Sequence, residues 1–187
     1  VKALENILAS SANCNEVIRI FAGTLSSLAE GEMLQLQKAS SGDTVEEDYY
    51  RRIYSKTASL FEAAFVSAAI SVNAPADWIE AVRDYAVSLG IAFQIKDDIF
   101  DYSDGKKIGK PVGIDLEEQK ITLPLLGALA AASPERAKQI RGMVLDILEH
   151  PEYKEEIVGF VKEGKGIEYA VSRLEDYVSK AVDALAV

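Results

Sequence analysis

Gly90-Ile91-Ala92-Phe93-Gln94-Ile95-Lys96-Asp97-Asp98-Ile99-Phe100-Asp101-Tyr102 is the stretch on which the fold turns. Its apolar residues recur at helical spacing and not at the alternation of a half-buried strand. Gln94, Asp97, Asp98 and Asp101 stand at i, i+3, i+4 and i+7, so they share one helix face. Ile91, Ala92, Phe93, Ile95, Ile99 and Phe100 surround them, and the result is a mostly apolar helix with a narrow acidic stripe. A solvated face normally mixes lysine with its acids, and here only Lys96 stands to the side. Like charges at these spacings repel by roughly 0.2–0.5 kcal/mol when exposed, and more in a cleft of lower dielectric. A divalent cation would offset that repulsion directly. The plain alternative is an exposed acidic helix end, which the helix dipole disfavours. An EF-hand is excluded, because Asp104-Gly105 lacks acids at the required earlier offsets.

Outward from this helix, helical periodicity continues in both directions. Upstream, Leu4, Ile7 and Leu8 begin a stripe that Val17, Ile18, Phe21, Leu25, Leu28 and Met33 carry to about Leu36, with Gly23 as a candidate bend or close helix contact. Gln37 to Val45 reads as the first loop. Asp43-Thr44-Val45-Glu46-Glu47 then reads as a helix start with acids near the positive end of the dipole. That helix is expected to reach Val72, before Asn73-Ala74-Pro75 breaks it. Downstream, Thr122-Leu123-Pro124 opens an apolar helix to about Ala132. Ser133-Pro134 starts another to about Glu149, His150-Pro151 a third to about Glu163, and Ile167 to Leu185 is the last. No strand and no repeat is evident. The expected fold class is all-α: a single-domain helical bundle over residues 1–187 with one functional loop.

That loop runs from Ser103 to Ile121 and carries Lys106, Lys107, Lys110 and Lys120 among Gly105, Gly109, Pro111 and Gly113. Lysines on a glycine-bearing loop directly after an acidic stripe suggest two halves of one clamp. The aspartates would hold a metal, and the lysines would meet the same phosphates as point charges. Asp115, Glu117 and Glu118 read better as first-turn acids of a helix than as ligands. Lys56 and Thr57 sit above Leu60, Phe61, Ala64, Phe65, Ala68 and Ala69. A lysine there either snorkels to water or serves a site. The small residues either allow close helix packing or line an apolar channel.

Composition narrows the possibilities. Twenty basic against 30 acidic residues give a net charge of -10, which argues against nucleic acid and against an anionic membrane surface as partners. Cys14 and His150 are the only residues of their kinds, so any metal must be held by oxygen, which points to magnesium, calcium or manganese. One cysteine allows no internal disulfide and suits a reducing, cytoplasmic compartment. No transmembrane segment is expected, since the most apolar stretch, Ala58 to Val72, is too short and contains Glu62.

The chain resembles the trans-isoprenyl diphosphate synthases, or polyprenyl synthetases. The resemblance rests on Gly31-Glu32-Met33-Leu34-Gln35-Leu36, on Tyr54-Ser55-Lys56-Thr57-Ala58-Ser59-Leu60-Phe61, and on the Gly90–Tyr102 stretch. Gly109-Lys110-Pro111-Val112-Gly113-Ile114-Asp115-Leu116 and Lys120-Ile121-Thr122-Leu123-Pro124-Leu125-Leu126 complete it. It implies an all-α fold around a central cavity, a homodimer, and magnesium-assisted ionisation of an allylic diphosphate that then condenses with isopentenyl diphosphate. By the same resemblance Asp97, Asp98 and Asp101 are metal ligands, the first two directly. Lys56 and Thr57 contact the allylic diphosphate, Lys110 and Lys120 are later diphosphate contacts, Gln94 is a polar wall residue, and Gln35 lines the cavity. The wording of residues 31–36 leans toward the longer-chain, octaprenyl-like branch.

The resemblance covers only the C-terminal part of the family's length. The family's first aspartate-rich motif, and the upstream basic residues that hold isopentenyl diphosphate, have no counterpart in these residues. The chain is therefore expected to be a C-terminal portion that is inactive alone. Two other readings compete: a non-catalytic regulatory or scaffold subunit, and a class I terpene cyclase. The preserved Lys56, Asp97, Asp98, Asp101 and Lys110 argue against the first. The Lys56-Thr57 pair and the Lys110 and Lys120 loop argue against the second.

Overall fold

A computed structural model of the chain describes residues 13–102 and 113–186. All regular structure in them is helical: α1 (Cys14–Ser41), α2 (Glu46–Ile53), a π-helical turn (Tyr54–Ala58), α3 (Ser59–Ser71), α4 (Ala76–Asp101), α5 (Ile114–Glu117), α6 (Leu123–Ala131), α7 (Pro134–Leu145), α8 (Tyr153–Glu163) and α9 (Gly166–Ala184). The expected all-α architecture is what forms.

Local chemistry explains most boundaries. Ser133 accepts a hydrogen bond from the Arg136 N–H at 3.3 Å, and Pro134 occupies the first turn of α7. Asp48 reaches back to the Val45 N–H at 3.2 Å, so the acids predicted for the start of α2 do cap it. α1 outlasts its expected end at Leu36. The Ser40 hydroxyl bonds the Gln37 carbonyl at 2.8 Å, and Gly42, at φ 65°, stops the helix with its N–H on the Lys38 carbonyl. The serines that suggested a loop belong to the last turn.

The expected helix Glu46–Val72 is one rod with a widened turn inside it. Glycines flank that turn on both sides. A Cβ on Gly31 would lie 2.7 Å from Lys56 Cγ, and one on Gly90 would lie 2.6 Å from Ala58 Cα. α1 and α4 therefore press directly on the π turn. Gly23, the glycine expected to make a close contact, has nothing within 4 Å of where its Cβ would be.

The main core is built around α6, whose residues Leu123 to Leu129 are all buried. Tyr49, Ile53, Ile91, Ile95, Tyr102, Leu116, Ile140, Val144, Ile157 and Val161 pack into the same cluster. α9 runs along both α4 and α6. Val17, Val66 and Ile70 form a much smaller second cluster where α1 meets α3. Leu60, Ala64, Phe65 and Ala68, expected as interior below Lys56, are exposed; Ala58, Ser59, Val66 and Ile70 form the buried face instead.

Candidate active site

One cavity of about 140 Å³ gathers Gln35 from α1, Arg52 and Ile53 from α2, Lys56 and Thr57 from the π turn, Gln94 and Asp98 from α4, Asp115 from α5, and Lys120 and Thr122 from the strap before α6. Most residues singled out in the sequence thus meet in one place. Lys110 lies outside the described residues.

A chain of hydrogen bonds crosses the floor. Thr57 donates its hydroxyl to Gln94 Oε1 at 2.8 Å, and Gln94 Nε2 donates to Asp98 Oδ1 at 2.9 Å. The Tyr49 hydroxyl donates to Asp98 Oδ2 at 2.8 Å. Asp98 is only 3% exposed. Its pKa is pushed up to about 7, chiefly by burial and then by the nearby charge of Asp115, against the opposing help of Gln94, Tyr49 and Arg52. Tyr49, wholly buried, is raised by the same burial and by Asp98.

The lysines already have partners. Lys56 reaches Gln35 Oε1 at 2.8 Å and Glu32 at 2.7 Å. Lys120 pairs with Asp115 at 3.2 Å and Glu118 at 2.5 Å. Burial would lower the Lys120 pKa, but the hydrogen bonds to Glu118 and Asp115 outweigh it and raise it. Of the two readings of Lys56, serving a site fits the geometry, because its ammonium lies in the cavity wall.

The three aspartates of the stripe separate. Asp97 is exposed and Asp98 is buried. Asp101 accepts from the N–H groups of Ile114 at 3.0 Å and Asp115 at 3.1 Å, and its carbonyl accepts from the Gly113 N–H at 2.9 Å. Burial raises the Asp101 pKa, as does Asp115, while those backbone donors pull it down. Among the described residues no three acids, histidines or cysteines converge on a metal position. The donor chemistry nevertheless suits magnesium, which takes one or two carboxylates and fills the rest of its octahedron with water and phosphate oxygen.

The sequence reading missed Arg52, Tyr49 and Thr122, and it read Asp115 only as a helix-start acid. Helical spacing contained a signal for the first two: Arg52 lies four residues before Lys56, and Tyr49 seven. Asp115 does open α5, but it also faces the cavity.

A family model described as polyprenyl synthetase matches residues 1–161. The octaprenyl diphosphate synthase of Haemophilus influenzae is 39% identical over 176 residues, covering 92% of this chain and 52% of that protein. A geranylgeranyl pyrophosphate synthase from Bacteroides thetaiotaomicron superposes with a TM-score of 0.84 at 40% identity, covering 96% of this chain and 60% of that one. A polyprenyl synthase from Caulobacter crescentus, solved with calcium and isoprenyl diphosphate, gives 0.82 at 34% identity, covering 91% and 52%. The chain spans about half the length of the curated relatives it matches. No described helix is long and apolar enough to cross a membrane.

Proposed function

The chain belongs to the polyprenyl synthetase family, and from that membership we propose that its cavity binds the diphosphate of an allylic prenyl substrate for condensation with isopentenyl diphosphate. One observation carries the reading: Lys56, Thr57, Gln94, Asp98 and Lys120 come from three separate segments and line a single polar cavity. A scaffold has no need of that convergence. The relative solved with calcium and isoprenyl diphosphate supports the same assignment. The octaprenyl synthase likeness favours a long-chain product.

In this reading Lys56 and Lys120 hold the diphosphate, and Thr57 orients Gln94 beside it. Asp97 and Asp98 would hold magnesium, with Asp101 completing the acidic face. When bound, magnesium supplies positive charge to the departing diphosphate. The lysines contribute fixed charge where negative charge grows as the carbon–oxygen bond breaks. Gln94 keeps Asp98 oriented through its 2.9 Å bond. The working enzyme is a cytoplasmic homodimer, and this 187-residue chain alone does not turn over, because it carries one aspartate-rich cluster.

Titration calorimetry with geranyl diphosphate in magnesium tests the proposal. Lys56→Ala and Asp97→Ala should each weaken binding about tenfold or more. Affinity left untouched by both substitutions would sink it, and prenyl transfer by the isolated chain would sink the claim of inactivity.

A further inference from the structure

Arg52 stands out among the cations of the cavity. It is 7% exposed, more deeply buried than either lysine, and among the described residues it forms no ion pair. Among the described residues its one hydrogen bond is a long one, from Nη2 to the Ile121 carbonyl at 3.5 Å. Its guanidinium carbon lies 5.5 Å from the centre of the Tyr49 ring, which offsets part of the cost of burial. Asp98 attracts it electrostatically without a direct ion pair, and a buried cation that no carboxylate touches is expensive.

The site supplies the place for that anion. Arg52 lines the same cavity as Lys56, Thr57 and Lys120. Lys56 is already engaged by Glu32, and Lys120 by Asp115 and Glu118, so each must surrender a carboxylate before it can serve a ligand fully. Arg52 has no salt bridge among the described residues to give up, only a long hydrogen bond to a carbonyl. Its planar fork can meet two oxygens of one phosphoryl group at once, which an ammonium cannot do.

We propose that Arg52 is a diphosphate-binding residue that gives the cavity a grip on its anion independent of metal, an inference that rests on the diphosphate reading of the site. The lysines, and a metal ion held by the aspartates, would then add to a contact already in place. The order of events follows from this: the diphosphate can enter before its cations and help to recruit them.

The test is titration of the chain with inorganic diphosphate, once in excess EDTA and once in magnesium. In EDTA the parent chain should bind measurably, and Arg52→Gln should weaken that binding about tenfold or more, the scale of a charge-assisted hydrogen bond. Arg52→Lys, which keeps the charge but loses the fork, should fall between them. Asp97→Ala should lower the magnesium-dependent part of the binding. Thermal melts check that each variant is folded. If Arg52→Gln melts early, Arg52→Lys carries the comparison, and full affinity in a folded Arg52→Lys removes the role of the fork. Equal affinity of Arg52→Gln and parent overturns the proposal. So does absence of any binding in EDTA. In that last case magnesium-dependent binding that Asp97→Ala abolishes would leave the functional reading standing.

Discussion

Along α6 every residue from Leu123 to Leu129 is buried, whereas along the much longer α1 only Val17, Thr24 and Gly31 are. Those three stand seven residues apart, so α1 touches the rest of the described chain along one narrow seam. Four of its large apolar residues point the other way: Met33 is 72% and Leu36 69% exposed, with Phe21 and Leu25 also outside. The region around α6 is therefore stabilised by its own interior, and α1 by a thin contact. The cavity hangs between the two. Asp98, Lys120 and Thr122 stand on the packed side, while Gln35 and the partner of Lys56 at Glu32 stand on the thin one. Half of the site is rigidly based and half is held by a seam.

The sharpest way to break this contrast is to truncate one buried aliphatic side chain in each region. Leu125→Ala should cost about 3 kcal/mol by leaving a cavity in the main core. Val17→Ala, on the seam, should cost about 1 kcal/mol. Chemical denaturation reads both, and equal losses would mean that α1 is packed as firmly as α6. A finer cut compares two glycines of α1. Gly31→Ala drives a methyl group into Lys56 and Ser55 of the π turn and should cost about 2 kcal/mol. Gly23→Ala meets nothing and should gain roughly 0.5–1 kcal/mol from helix propensity. Melting temperatures that move in the same direction would remove the claim that the seam passes through Gly31.

A separate comparison, by pH, reads the packed side through Asp98. Its folded pKa of about 7 lies above the unfolded value near 3.8. Between those values the folded chain holds a proton that the unfolded chain has released, so stability falls as pH rises through that window. Asp98→Asn should flatten this dependence in melts from pH 4 to pH 8 without metal. An unchanged slope would show that the packed side of the cavity is not tuned by this carboxyl.

The sequence showed the fold class and the acidic face, because helical spacing is a direct record of which residues share a side. Gln94 and Asp98 share the cavity wall as that spacing implied, and Lys120 joins them from the loop expected to carry the clamp's lysines. What spacing does not record is depth. Asp97 and Asp98 are neighbours in the chain, yet one is exposed and the other buried, on the side of α4 that meets Tyr49. The π turn was equally hidden, since a single widened turn changes no residue type and has no composition of its own. Arg52 lies beside Arg51 in the sequence, and nothing there distinguishes the two. Its burial depends on Tyr49 and Ile121, which come from different segments of the chain.

Asp101 ties its own carbonyl to Gly113 and its carboxylate to the next two backbone amides. The start of α5 is therefore pinned to the end of α4, and Asp115 reaches the cavity through that tie. The two helix ends make one corner of the cavity wall, so a substitution that loosens Asp101 would shift Asp115 with it.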